Sequence, residues 1–167
     1  MTTTTETTVT THMHRVYIKA TPEAIWKAIT DPEWNVRYGY QAASEYDLRP
    51  GGTYRSLANP EMLAHGSGEV AIEGAVVEAD PPRKLVQTWR LAMEASLAAE
   101  GFTRLTYEIE PLEGGVTKLT ITHDLTDTPV HAGLVAGEME DTGAGGGWAW
   151  VLSGLKTVLE TGASLRG

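Results

Sequence analysis

Between Trp148 and Leu159 the apolar residues Trp148, Val151, Leu152, Leu155, Val158 and Leu159 fall three or four apart, the stripe of an amphipathic helix and not the alternation of a strand. Gly162 follows, where a left-handed C-cap favours glycine, and a glycine run precedes Trp148. A helix with such a stripe must lie on something large. Thr21-Pro22-Glu23 predicts an earlier helix, with threonine as N-cap, proline in the first turn and a carboxylate near the positive end of the helix dipole. Ala24, Ile25, Ala28 and Ile29 supply its apolar face, and Asp31-Pro32 ends it because proline disfavours helical geometry in the residue before it. The aromatic segment Trp34 to Tyr40 predicts a second small helix.

Period two governs most of the rest. His12 to Ala20, Ala42 to Leu48, Thr53 to Leu57, Gly68 to Glu78, Leu85 to Ala92, Phe102 to Glu110 and Val116 to Leu125 alternate or nearly so, which predicts seven strands. Turn signals separate them at Arg49-Pro50-Gly51-Gly52, Asp80-Pro81-Pro82 and Glu113-Gly114-Gly115. Met93 to Gly101 predicts a turn of helix or a long hairpin loop, and Pro129 to Met139 a further helical piece. An α+β fold, one sheet curled around its last helix, satisfies this order with short connections. Met1 to Thr11 is nearly all threonine and has no apolar pattern, so it is expected to be a disordered tail, leaving residues 12–167 as one domain.

Composition narrows the chemistry. The chain has no cysteine, which excludes disulfides and thiolate catalysis. No run of about 18 apolar residues exists to span a membrane, and the N-terminus lacks the basic-then-apolar pattern of a signal peptide, so a cytoplasmic location is expected. A net charge of −9 repels phosphate backbones and anionic lipid, which argues against nucleic-acid and membrane partners. Five Trp and six Tyr accompany a single Phe. Those rings carry polar handles, a mix suited to a ligand-lined cavity.

Four segments together resemble a known family: VYIKATPEAIWKAITDPE (Val16 to Glu33), LRPGGTYR (Leu48 to Arg55), EADPPRKLVQTWR (Glu78 to Arg90) and GGWAWVLSGLKTVLETG (Gly146 to Gly162). They are similar to the START-like, or SRPBCC, superfamily, and within it to the bacterial branch named after activators of the heat-shock chaperone ATPase. The resemblance implies a helix-grip fold, a curved seven-stranded antiparallel sheet wrapped around a long C-terminal helix with an internal cavity. It leaves function open, because this fold hosts lipid carriers, aromatases and cyclases, and co-chaperones.

Strand alternation selects the side chains that face such a cavity: Leu85, Gln87, Trp89 and Leu91, then Leu105, Tyr107 and Ile109, then Leu119, Ile121, His123 and Leu125. His123 is the inward titratable group, either a general acid or base or a core histidine bonded to its neighbours. Trp34, Tyr38, Tyr40, Tyr54, Trp89, Tyr107, Trp148 and Leu152 complete the candidate ligand-binding set, an aromatic wall for a planar guest. Trp148 and Leu152 could instead fill the space themselves. Glu69, Glu73, Glu78 and Arg90 read as solvent-face charges. His12 and His14 share a face, but two ligands leave a zinc tetrahedron half empty, so no metal or other cofactor is expected. The run Gly143 to Gly147 lacks the Gly-Lys-Ser/Thr of a phosphate loop and reads as a hinge for the closing helix.

The leading expectation is a non-catalytic protein, monomer or homodimer, that binds a hydrophobic or aromatic small molecule, lipid- or polyketide-like, between sheet and closing helix. Three alternatives stay open. One is a polyketide aromatase or cyclase with His123 as proton shuttle and Tyr54 or Tyr107 polarising a carbonyl. Another, implied by resemblance, is a self-sacrificing enediyne-resistance protein cleaved at a glycine. The third is a co-factor of a chaperone ATPase.

Overall fold

The inward side chains of the seven strands, mostly apolar, make the floor on which the last helix lies. The computed structural model describes residues 10–142 and 145–165; most of the predicted tail, residues 1–9, and Gly143 of the predicted hinge lie outside them. The elements are β1 (Thr11–Ile18), α1 (Pro22–Thr30), α2 (Pro32–Asn35), β2 (Ser44–Tyr46), β3 (Thr53–Leu57), α3 (Pro60–Ala64), β4 (Val70–Asp80), β5 (Lys84–Leu91), α4 (Ala95–Ala98), β6 (Thr103–Pro111), β7 (Thr117–Asp124), α5 (Pro129–Val135) and α6 (Gly147–Thr161). The strands form one antiparallel, curved sheet in the order β1-β7-β6-β5-β4-β3-β2. Register breaks at Ser56/Leu57 and Val76/Glu78 are bulges of the kind that bend a sheet.

Local chemistry explains the element ends. Thr21 accepts the Ala24 N–H at 3.2 Å to start α1. Asp31 both ends α1 and opens α2, its side chain accepting the Glu33 N–H at 2.9 Å, with Pro32 in the first turn where no amide hydrogen is needed. The second small helix therefore begins before the predicted Trp34 and stops at Asn35. Asn59-Pro60 repeats the device for α3, which the alternation of its surroundings did not reveal; the Asn59 side chain accepts from Met62 N–H at 2.7 Å. β1 starts at Thr11, not His12, because Thr11 pairs with Asp124 and the Leu125 N–H reaches Thr10 O at 2.7 Å.

α6 lies across the inner face, burying Trp148, Leu152, Leu155 and Val158, at roughly 1.5–3 kcal/mol for each fully buried side chain before ordering costs. Gly162 caps it in the left-handed conformation, φ 78°. At the other end, Gly147 has φ 68°, and a Cβ there would sit 2.1 Å from Val135 O, so this junction needs glycine for close approach. The Gly147 N–H donates to the Tyr40 hydroxyl at 2.9 Å, and Trp150 Nε1 to Gly39 O at 3.0 Å. Near the C-terminal end, Lys156 Nζ donates to Tyr17 O and Glu160 accepts the Lys19 N–H, each at 2.8 Å, while the two side chains pair with each other at 2.8 Å.

Candidate functional site: the aromatic layer under the closing helix

The inward rows of β5, β6 and β7 are buried as their alternation predicts, from Leu85, Gln87 and Trp89 through Leu105 and Tyr107 to Ile121 and His123. On this floor α6 sets Trp148. Its ring lies 6.5 Å from that of Trp89, 6.3 Å from Tyr107 and 5.9 Å from His123, the last two edge-on. Trp89 meets His123 edge-on at 4.9 Å. Tyr46 of β2 and Tyr54 of β3, opposite each other in the hairpin, stack at 4.6 Å. Rings with polar edges thus form a continuous layer.

His123 is fixed within it. Trp148 Nε1 donates to His123 Nδ1 at 3.0 Å, so the ring hydrogen resides on Nε2, which donates to Thr103 Oγ1 at 2.7 Å. The Thr103 hydroxyl passes its own hydrogen to Trp89 O at 2.7 Å. Burial first, then the nearby His131 and His12, push the His123 pKa down to about 3. The imidazole is neutral with both nitrogens engaged, so neither a lone pair nor a proton is presented to a substrate, an arrangement that matches the core-histidine alternative.

His131 is likewise enclosed. Its Nε2 accepts the Leu91 N–H at 2.9 Å, so Nδ1 donates to Glu100 at 2.7 Å. Glu100 also accepts the His131 and Val130 amides at 2.9 and 3.1 Å, capping α5. Burial would raise the Glu100 pKa, but the His131 and backbone hydrogen bonds outweigh it and hold the carboxyl low.

Gln87, at the middle of β5, differs. Its Oε1 accepts the Tyr46 hydroxyl at 2.7 Å, whereas its Nε2, fully buried, has no hydrogen-bond partner. Three phenols of the layer, Tyr46, Tyr54 and Tyr107, lie around this part of it, with Tyr38 of the neighbouring helix packing beside them. Burial pushes Tyr54 up to about 12 against the hydrogen-bonding pull of Ser44, Trp89, Tyr46 and Gln87. It raises Tyr38, Tyr46 and Tyr107 as well, so all four are neutral donors at physiological pH.

The layer brings together Tyr54, Trp89, Tyr107, His123, Trp148 and Leu152 of the predicted set. The other three belong to helix packing. Tyr38 gives its hydroxyl to Ala28 O at 2.7 Å, Tyr40 caps α6, and Trp34 carries the Arg37 guanidinium 4.5 Å above its ring. The two best-formed concavities among the described residues are about 10 Å³ between Tyr38–Gln41 and α6, room for one water, and about 420 Å³ in an open groove over Glu45, Tyr46, Asp47, Thr53 and Arg55, which reaches the edge of the layer at Tyr46. Trp148 and Leu152 fill the space under α6. Arg90 pairs with Glu73 across the sheet and stacks on Phe102, as its outward parity implies. Among the described residues no three His, Cys, Asp or Glu converge to hold a metal, and no helix is long and apolar enough to cross a membrane.

Residues 19–160 match the family model described as activator of Hsp90 ATPase homolog 1-like protein. The chain belongs to this family. Among solved structures, CalU16 from Micromonospora echinospora is 21% identical over 95% of this chain and 79% of that one, with a TM-score of 0.63. The Aha1 dimer from Colwellia psychrerythraea is 22% identical over 92% and 98%, TM-score 0.60. PFC0360w, an HSP90 activator from Plasmodium falciparum, is 22% identical over 68% and 71%, TM-score 0.53. No curated protein matches. At these identities the solved relatives establish the helix-grip fold alone.

Within this family frame, Tyr46, Thr103 and His131 lie outside the set that residue type and strand alternation select, and Gln87 enters it only as an inward residue. Hairpin arithmetic could have found Tyr46: a turn centred on Pro50 pairs Tyr46 with Tyr54. Thr103 sits across from Trp89 in the β5–β6 register, a pairing that only strand alignment discloses.

Proposed function

We propose that this family member binds a small, flat, largely apolar molecule within the aromatic layer between the sheet and α6, which parts to admit it. The observation that carries this reading is where the core is loosest. Among the buried hydrophobic side chains the highest residual exposure is at Tyr107 (9%), Trp148 (8%) and Leu152 (7%), all in the layer, against 0% at Leu105 and Leu119. Two of these three side chains are rings, whose faces suit a planar guest. His123 and Thr103 hold Trp148 and Trp89 in register and perform no chemistry in this reading.

Titration with naphthalene tests it, read by tryptophan quenching and by the rise in melting temperature. Saturable binding is expected, together with its loss in Leu152→Trp, which fills the layer while leaving the sheet intact. No binding up to the solubility limit, or binding indifferent to Leu152→Trp, overturns the proposal.

A further inference from the structure

We infer that the guest of the aromatic layer is uncharged and carries a carbonyl oxygen, which accepts a hydrogen bond from Gln87 Nε2. The inference rests on the ligand-binding reading above and narrows it to a chemical class. A buried primary amide has two N–H donors, and leaving them unmet costs roughly 1–3 kcal/mol. The Gln87 amide nitrogen is in that position, while its oxygen is held by the Tyr46 hydroxyl and so fixes the direction of the free donors. The neighbours strengthen the assignment. Leu85, Val76 and Leu105 around Gln87 offer no acceptor from their side chains, the Val76 backbone is bonded to Gly51 and Gly52, and the nearby Tyr54 hydroxyl, the one polar side chain besides Tyr46 that acts on this amide, leaves Nε2 without a hydrogen bond.

The charge of the guest follows from the same surroundings. No Lys or Arg is among the buried described residues, and the buried polar set is amide, hydroxyl and imidazole only. The phenols and His123 are neutral there. A carboxylate brought into this layer would be desolvated with no cation to meet it, a large penalty. A ketone, quinone, lactone or amide needs only a donor, and that is what Gln87 holds unspent.

Three probes of one shape separate these cases: 2-acetylnaphthalene, 2-isopropenylnaphthalene, in which C=CH₂ replaces C=O, and 2-naphthoate. Calorimetric titration of the full chain at pH 7 should find the acetyl compound bound about tenfold more tightly than the isopropenyl one, and naphthoate weakest. Gln87→Met should reduce the acetyl advantage to about twofold or less while leaving the isopropenyl affinity in place. Equal affinity of wild type for the acetyl and isopropenyl compounds overturns the inference without needing any variant. A tenfold preference that survives in folded Gln87→Met overturns the assignment to Gln87, and naphthoate binding best overturns neutrality. If none of the three binds, the ligand-binding reading itself falls.

Discussion

His123 and Gln87 stand on the same concave face, both fully buried, both polar, on strands separated only by β6. Their surroundings treat them oppositely. Every hydrogen-bonding atom of the His123 ring is matched, in a relay from the Trp148 indole through Thr103 to the Trp89 carbonyl. Gln87 is matched on one atom and empty on the other. A completed network specifies a packing arrangement, and a half-completed one is costly unless something else completes it. Burial and polarity alone therefore do not distinguish a scaffold from a recognition group. The count of satisfied atoms does.

The sharpest way to break the contrast is to remove the scaffold. His123→Ala leaves the Trp148 N–H without its acceptor and a void among rings, and should cost about 4 kcal/mol in chemical denaturation. A loss under about 1 kcal/mol would make His123 as dispensable as an exposed side chain. A smaller, pH-dependent effect follows from the same residue. Its folded pKa, about 3, lies below the ordinary histidine value of 6.5, so below pH 6.5 the unfolded chain takes up a proton that the folded chain refuses. Stability attributable to His123 is thus fully present above pH 6.5 and drains away as pH falls towards 3, at a slope approaching 1.4 kcal/mol per pH unit, to within about a factor of two. Denaturation at pH 7, 6 and 5 should resolve it, and His123→Gln should flatten the curve. Smallest of all is the change at the other residue. Gln87→Met combined with Tyr46→Phe removes one hydrogen bond and one orphaned amide together, so stability should move by less than about 1 kcal/mol in either direction. A loss above about 2 kcal/mol would mean that Gln87 is structural after all.

Much of this was legible from residues alone, for a physical reason. Side-chain parity in a strand is absolute once one face is buried, so Leu85 to Leu91 and Leu119 to Leu125 declared their inward members without a structure. The α6 stripe and its Gly162 cap were equally plain. Less legible were contacts that depend on which strands lie side by side. That Trp148 reaches His123, or that Glu100 reaches across to cap α5 through His131, joins segments 25 and 31 residues apart. The aromatic wall was overdrawn for a related reason: Trp34, Tyr38 and Tyr40 look like wall residues by type, but the chain between α1 and β2 spends them on holding helices.

The Lys156 and Glu160 pair on α6 has a consequence for the rim of the sheet. One side chain donates a hydrogen bond to the Tyr17 carbonyl and the other accepts one from the Lys19 amide. That is one donor and one acceptor, the same complement a residue of an eighth strand would bring. The helix that covers the floor also impersonates the next strand at the C-terminal end of β1, so along that edge of the sheet growth by another chain is met there by two charged side chains.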